Sequence, residues 1–180
     1  MRLYHFSEHP AITRFQPHHA ATALTDEALV WAIDEWHAPM YFFPRDCPRA
    51  CFWSGEHTTI EDRDCWFHGV EARIVIAVEG AWLDRIRSAT LYCYEMPPAT
   101  FVLNDRNAGH YVSRQSVEPL RVEPLRDLLA ALTDANVELR ITPCLGPLWQ
   151  AVVASSLEFS GTRLRNAADW PDGFGPLAHP

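Results

Sequence analysis

Apolar and polar residues alternate at the start of the chain. Arg2 to Ser7 reads as a first strand, with His5 on one side and Tyr4 and Phe6 on the other, and Glu8-His9-Pro10 ends it. Ala11 to Phe15 reads as a short extended segment before Pro17, and Gln16 to Thr25 as a loop. The apolar run Leu29 to Ile33, bounded by acids, predicts a second, buried strand. Asp34 then offers a cap for a helix that Pro39 interrupts, and the aromatic end Tyr41-Phe42-Phe43 needs a surface to pack against. Pro44 to Pro48 predicts a turn and Cys51 to Trp53 a short strand. Thr58-Thr59-Ile60-Glu61 has the acidic first turn of a helix start, and that helix should end before Gly69.

Arg73 to Val78 is a strong β run, and Trp82 to Arg87 reads as a turn or two of helix. Thr90 to Met96 predicts a strand with Tyr92 and Tyr94 on one face and Cys93 and Glu95 on the other, stopped by Pro97-Pro98. Gly109 to Arg114 and Val117 to Val122 read as extended pieces. Pro124 then sets up a helix from Leu125 to Ala135 with Leu125, Leu128, Leu129 and Leu132 on one face. Val137 to Ile141 returns as a strand, Gly146-Pro147 begins a last helix through Ser155, and Asp169 to Pro180 reads as a frayed tail. The mixture predicts an α+β fold, with a single domain over residues 1–168 and no internal repeat.

Composition narrows the function classes. A chain of 180 residues, 48% of them hydrophobic and 12% aromatic, has enough apolar surface for one core. The net charge of −8 comes from 23 acids against 15 arginines, with no lysine, which argues against bulk nucleic-acid binding. Lysine's absence also excludes Schiff-base catalysis and a Walker-type phosphate site. Five cysteines, no N-terminal signal pattern and no long apolar run lead us to expect a cytoplasmic protein without a membrane span.

The spacings Cys47-x3-Cys51 and Cys65-x2-His68 could supply four zinc ligands, which makes a zinc-stabilised interaction protein one alternative. Cys65 and His68 fall on a predicted helix and Cys51 on a strand, so buried thiols are the simpler reading and no metal is favoured. Nothing local marks Cys93 or Cys144 as a nucleophile, and the common hydrolase, metalloprotease and dinucleotide signatures are absent. His5 has two readings. It is a core histidine bonded to a backbone carbonyl, or, with Ser7 close behind, it offers hydrogen bonds to a ribose hydroxyl.

Leu3-Tyr4-His5-Phe6-Ser7 resembles the first motif of the ADP-ribosyltransferase superfamily, a strand with an aromatic-His pair, although Phe6 replaces the usual glycine. Leu29 to Asp34, leading into Ala38 and Tyr41, is similar to its second motif, whose aromatic stacks on nicotinamide; Tyr41 is the matching residue and Trp31 the runner-up. Tyr92 to Glu95, Gly109 to Arg114 and Val117 to Leu120 resemble the later strands of small bacterial members. Position 110 is histidine where many transferases carry the acid, and Glu118 is the nearest carboxylate. The chain also resembles an uncharacterised family of small bacterial proteins beginning LYHFS, through its Arg45 to Arg49 and Leu157 to Gly161 stretches.

The superfamily resemblance implies an ADP-ribosyltransferase-like split β-sheet core flanked by helices, and NAD as a substrate. His5 and Ser7 would hold a ribose hydroxyl and Tyr41 or Trp31 the nicotinamide. Glu118 or His110 would orient the reacting ribose, and Arg45 and Arg114, with Ser113, would pair the pyrophosphate. The expected activity is an NAD- or nucleotide-directed transferase or glycohydrolase. A non-catalytic nucleotide- or protein-binding module of the same fold is the alternative. Glu158, Arg163 and Arg165 read as a helix cap and ion pairs.

Overall fold

The computed structural model describes residues 1–19, 27–168 and 170. Residues 20–25 of the expected loop, and the expected tail apart from Trp170, lie outside the described residues. The elements follow in chain order as β1 (Leu3–Ser7), β2 (Val30–Asp34), β3 (Arg49–Trp53), α1 (Ile60–Phe67), β4 (Ile74–Glu79), α2 (Leu83–Ser88) and β5 (Leu91–Met96). They continue as β6 (Val102–Asp105), β7 (His110–Ser113), β8 (Arg121–Leu125), α3 (Leu128–Asp134), β9 (Val137–Thr142), α4 (Gly146–Val153) and β10 (Glu158–Thr162). The chain is thus mixed α+β, with two sheets and four α-helices among the described residues. It divides into two compact units, Met1–Phe43 with Ala89–Leu128 and Pro44–Ser88 with Leu129–Pro180.

The first unit holds a six-stranded antiparallel sheet in the order β6-β7-β2-β1-β5-β8. Its registers sort side chains between faces, because directly opposed residues share a side and successive residues alternate. His5 stands opposite Tyr94 and Leu3 opposite Met96. Tyr4 stands opposite Ile33, and Ile33 opposite His110. Leu3, His5, Ala32 and Tyr94 therefore share one face, with Phe15, Phe101 and Val117 packed against it. Tyr4, Phe6, Ile33 and Cys93 lie on the reverse face with Ala38, Tyr41 and Phe42. Each fully buried apolar side chain on these faces contributes about 1.5–3 kcal/mol.

Tyr94 is 0% exposed; its hydroxyl donates to His9 O at 2.6 Å and accepts from Ile12 N at 3.1 Å. The segment before Phe15 is thereby tied down without joining the sheet, touching Val117 through one isolated bridge.

Three expectations are corrected in this unit. Asp34 does not begin a helix: it ends β2, and a turn leads to a short 3-10 helix, Ala38–Tyr41. The cause is Pro39 near its start and a side-chain bond that keeps Asp34 in the turn. Pro124 does not set up a helix but lies in β8 opposite Tyr92, on an edge strand where a missing N–H is tolerated. Leu125 therefore belongs to a strand, and α3 starts at Leu128, with Leu128 and Leu132 buried. The extended piece from Val117 is a bridge at Val117 followed by strand only from Arg121. β6 was not anticipated, since Val102-Leu103 is short and exposed.

The second unit carries a sheet in the order β10-β3-β4-β9, antiparallel except for the parallel β4–β9 pair. All six residues of β4 are buried: Ile74 to Val78 form the continuous apolar run expected in the middle of a sheet, and Glu79 ends it. Trp149 of α4 packs with Ala50 and Ala77, and Val152 with Phe52 and Val75. Thr59 caps α1 by accepting from Asp62 N at 3.2 Å, and Gly69 ends it at φ +70°. The buried Glu79 carboxylate accepts from Leu145 N at 3.1 Å and Ala168 N at 3.0 Å. Glu158 is no helix cap: it opens β10, a strand the sequence reading missed, opposite Trp53. No helix among the described residues is long and apolar enough to cross a membrane.

Candidate functional site

The reverse face of the six-stranded sheet brings Trp31, Tyr41 and His110 together. Trp31 and Ile33 are two apart on β2, and His110 stands opposite Ile33 on β7. Tyr41 comes from the 3-10 helix whose Ala38 packs on Tyr4 and Ile33. Tyr41 Oη lies 2.7 Å from His110 Nε2. The Trp31 ring meets His110 edge-on, centroids 5.7 Å apart at 86°. The Trp31 indole N–H is buried without a hydrogen-bond partner among the described residues. All three residues remain partly exposed.

A second polar pair stands behind them. Asp34 Oδ1 accepts from His37 N at 2.9 Å and pairs with His37 Nδ1 at 2.7 Å. Gly109, just before His110, is at φ +66°, and its carbonyl accepts from Asp34 N at 3.0 Å. A Cβ on Gly109 would fall 2.2 Å from His37 Nδ1, so this close approach needs glycine.

These contacts set the proton affinities. Burial alone would raise the Asp34 carboxyl, but the hydrogen bonds from the His37 ring and backbone outweigh it and hold Asp34 below the usual carboxylate value. Burial pushes His110 below its ordinary value, against the pull of Asp105, which stands opposite it on β6. A neutral His110 accepts the Tyr41 hydroxyl proton at Nε2, or donates from Nε2 to the phenol oxygen in its other tautomer.

The other residues singled out in the sequence lie elsewhere. His5 is on the opposite sheet face, where its Nδ1 is 2.9 Å from Trp31 O and its ring 4.7 Å from Phe15. His5 is partly buried, and this is a bond to a backbone carbonyl of the neighbouring strand. Ser7 Oγ accepts from His9 N at 3.1 Å, and buried Ser113 donates to Thr100 Oγ1 at 2.9 Å. Arg114 pairs with Glu27 at 2.7 Å, and Glu118 with Arg14 at 2.5 Å, all four side chains being more than half exposed. Arg45 is an exposed residue of the second unit. Cys47 and Cys51 are buried and Cys65 exposed, and no group of three or more potential metal ligands occurs among the described residues. The sequence reading missed the Asp34–His37 pair and Asp105. The Asp-x-x-His spacing was visible, but a helix cap accounted equally well for Asp34.

A profile of a family of unknown function, DUF6886, matches residues 4–167. The chain belongs to this family. No curated protein and no solved structure matches it. The DUF6886 match spans the Trp31, Tyr41 and His110 positions and the Asp34–His37 turn. Chemically, three adjoining aromatic rings suit a planar heterocycle, and a phenol bonded to a neutral imidazole can hold or pass one proton.

Proposed function

We propose that this protein is a binding module for NAD or a related nucleotide, built on an ADP-ribosyltransferase-like fold, with the ligand's planar ring received at Trp31, Tyr41 and His110. The observation that carries this reading is the Tyr41–His110 hydrogen bond of 2.7 Å beside the Trp31 ring on one partly open sheet face. The adjacency of β1 and β2 supports the fold assignment, since these strands carry the two motifs that resemble the superfamily. A non-catalytic role is supported by the environment of His5, which faces away from Tyr41 and is bonded to its own sheet.

One observation favours a second reading, a transferase or glycohydrolase acting on NAD. His110 is pushed towards its neutral form next to Tyr41 with Asp105 opposite, a group suited to acid–base work, which contributes typically about 10²–10⁴-fold to a rate.

Titration calorimetry with NAD, ADP-ribose, AMP and nicotinamide, paired with a nicotinamide-release assay, separates the two. The binding reading expects saturable binding that Tyr41→Phe and Trp31→Phe weaken, no effect of His5→Ala beyond stability, and no nicotinamide release. At a hundredfold excess over Kd, the ligand would add about 2.7 kcal/mol of stability. Nicotinamide release abolished by His110→Gln would establish the enzymatic reading instead. No binding of any of the four ligands would reject both.

A further inference from the structure

The ring site of the first unit lies beside negative charge. Asp105 stands opposite His110 across the β6–β7 register, and Val112, on the same side of β7 as His110, stands opposite Trp31, so Asp105, His110 and Trp31 belong to one face of the sheet. Asp105 Oδ1 accepts from Ala108 N at 3.0 Å, which closes the turn between the two strands. The Asp105 carboxylate forms no ion pair among the described residues, whereas Arg2 and Arg121 pair with Glu95, Arg14 with Glu118 and Arg114 with Glu27. Arg106, in the turn after β6, is exposed. Asp34 is a second carboxylate close by, kept ionised by its bonds from His37.

His110 is the residue placed to answer that charge, and burial stops it. Asp105 and Asp34 favour its protonated form and His37 opposes it, but the cost of taking a charged imidazole out of water outweighs all three and holds the ring towards neutrality. A ligand whose positive charge is spread over a flat ring is less strongly hydrated than a compact cation, so it can enter where a protonated His110 is disfavoured. The faces of tryptophan and tyrosine rings attract such a cation. The Trp31 N–H edge is buried while the residue is partly exposed, so the part of the indole turned outward is its carbon ring. Tyr41, with its hydroxyl 2.7 Å from His110 Nε2, is also partly exposed. Aromatic surface beside a carboxylate that has no ion pair favours a flat cation over a neutral ring of the same shape.

We propose that the ring received at Trp31, Tyr41 and His110 carries a permanent positive charge, as a pyridinium or an N7-alkylated purine does, and that Asp105 selects it over the neutral ring of the matching nucleotide. This rests on the reading of those three residues as a ring site and adds to it the charge of the ring and the residue that reads it.

Calorimetric titration of the full chain at constant ionic strength with two matched pairs tests it: NAD against NADH, and 7-methyl-GMP against GMP. The purine pair keeps the ring planar in both members, so shape alone cannot produce a difference there. In at least one pair the charged ring should bind about tenfold or more tightly, and the pair that shows it identifies the source of the cation. Asp105→Asn keeps an acceptor for Ala108 N, so the turn should survive, and it should reduce that preference about threefold or more. Glu118→Gln, which removes an exposed carboxylate paired with Arg14, should leave the preference unchanged. Equal affinities within both pairs would overturn the proposal while leaving the ring site standing, and so would an equal loss of preference in Glu118→Gln and Asp105→Asn. Absence of binding by all four nucleotides would reject the ring site itself and the proposal with it.

Discussion

Gly109→Ala would bear on the fold and the site at once. The new Cβ would sit at φ +66° and lie 2.2, 2.5 and 2.8 Å from His37 Nδ1, Cγ and Cβ. The conformational part costs about 1–2 kcal/mol, as for any β-carbon residue in the left-handed region. The steric part falls on His37, whose ring cannot withdraw without giving up its 2.7 Å bond to Asp34. A hydrogen bond to a charged group contributes about 1.5–3 kcal/mol, so the total loss should be about 2.5–5 kcal/mol. Gly69→Ala is the matched control, because Gly69 has φ +70° with nothing within 4 Å of its added Cβ, and it should lose only the conformational part. Urea unfolding followed by tryptophan fluorescence gives both values, and Trp36, its ring 4.5 Å from that of His37, reports the local change. In a His37→Ala background the cost of Gly109→Ala should shrink, since only the contact with Cβ remains. A loss in Gly109→Ala no larger than in Gly69→Ala would refute the argument that His37 is held at this spot.

Tyr94→Phe should cost about 1–3 kcal/mol, because it leaves the His9 carbonyl and the Ile12 N–H without their partner; unchanged stability and unchanged amide exchange at Ile12 would contradict this. His110 binds a proton less readily folded than unfolded, so its contribution is complete above its ordinary value of 6.5 and declines as pH falls from there through the lower folded value. His110→Gln should therefore flatten the fall in stability below pH 6.5, and an identical slope in the variant would show that another group is responsible. Burial raises the thiol pKa of Cys47 to about 11, and of Cys51 and Cys93 to about 12, while Cys65 is exposed. A disulfide reagent at mildly alkaline pH should label Cys65 first and leave those three unmodified until the protein unfolds; faster labelling of Cys93 would show that its strand pair opens.

The elements legible in the sequence are those whose signal is local. Leu3–Ser7 alternates, residues 74–78 are an unbroken β-branched and apolar run, and Thr59 followed by Glu61 and Asp62 marks the start of α1. The misread elements depend on partners far along the chain. Pro124 looked like a helix start because proline favours that position, but pairing with Tyr92 puts it in an edge strand. Glu158 to Thr162, with a serine and a glycine, has weak strand propensity, and becomes a strand because β3 supplies its hydrogen bonds.

The site divides along the same line. That Tyr4 and His5 point to opposite sides follows from the pleat of one strand and needs nothing outside Leu3–Ser7. That Tyr41 lies on the Tyr4 side, with Trp31 and His110, depends on β2 pairing with both β1 and β7 and on the 3-10 helix folding back over that face. Side-chain alternation is a property of adjacent peptide units, whereas register is settled by hydrogen bonds and burial between segments tens of residues apart, and a slip of one residue would exchange the faces.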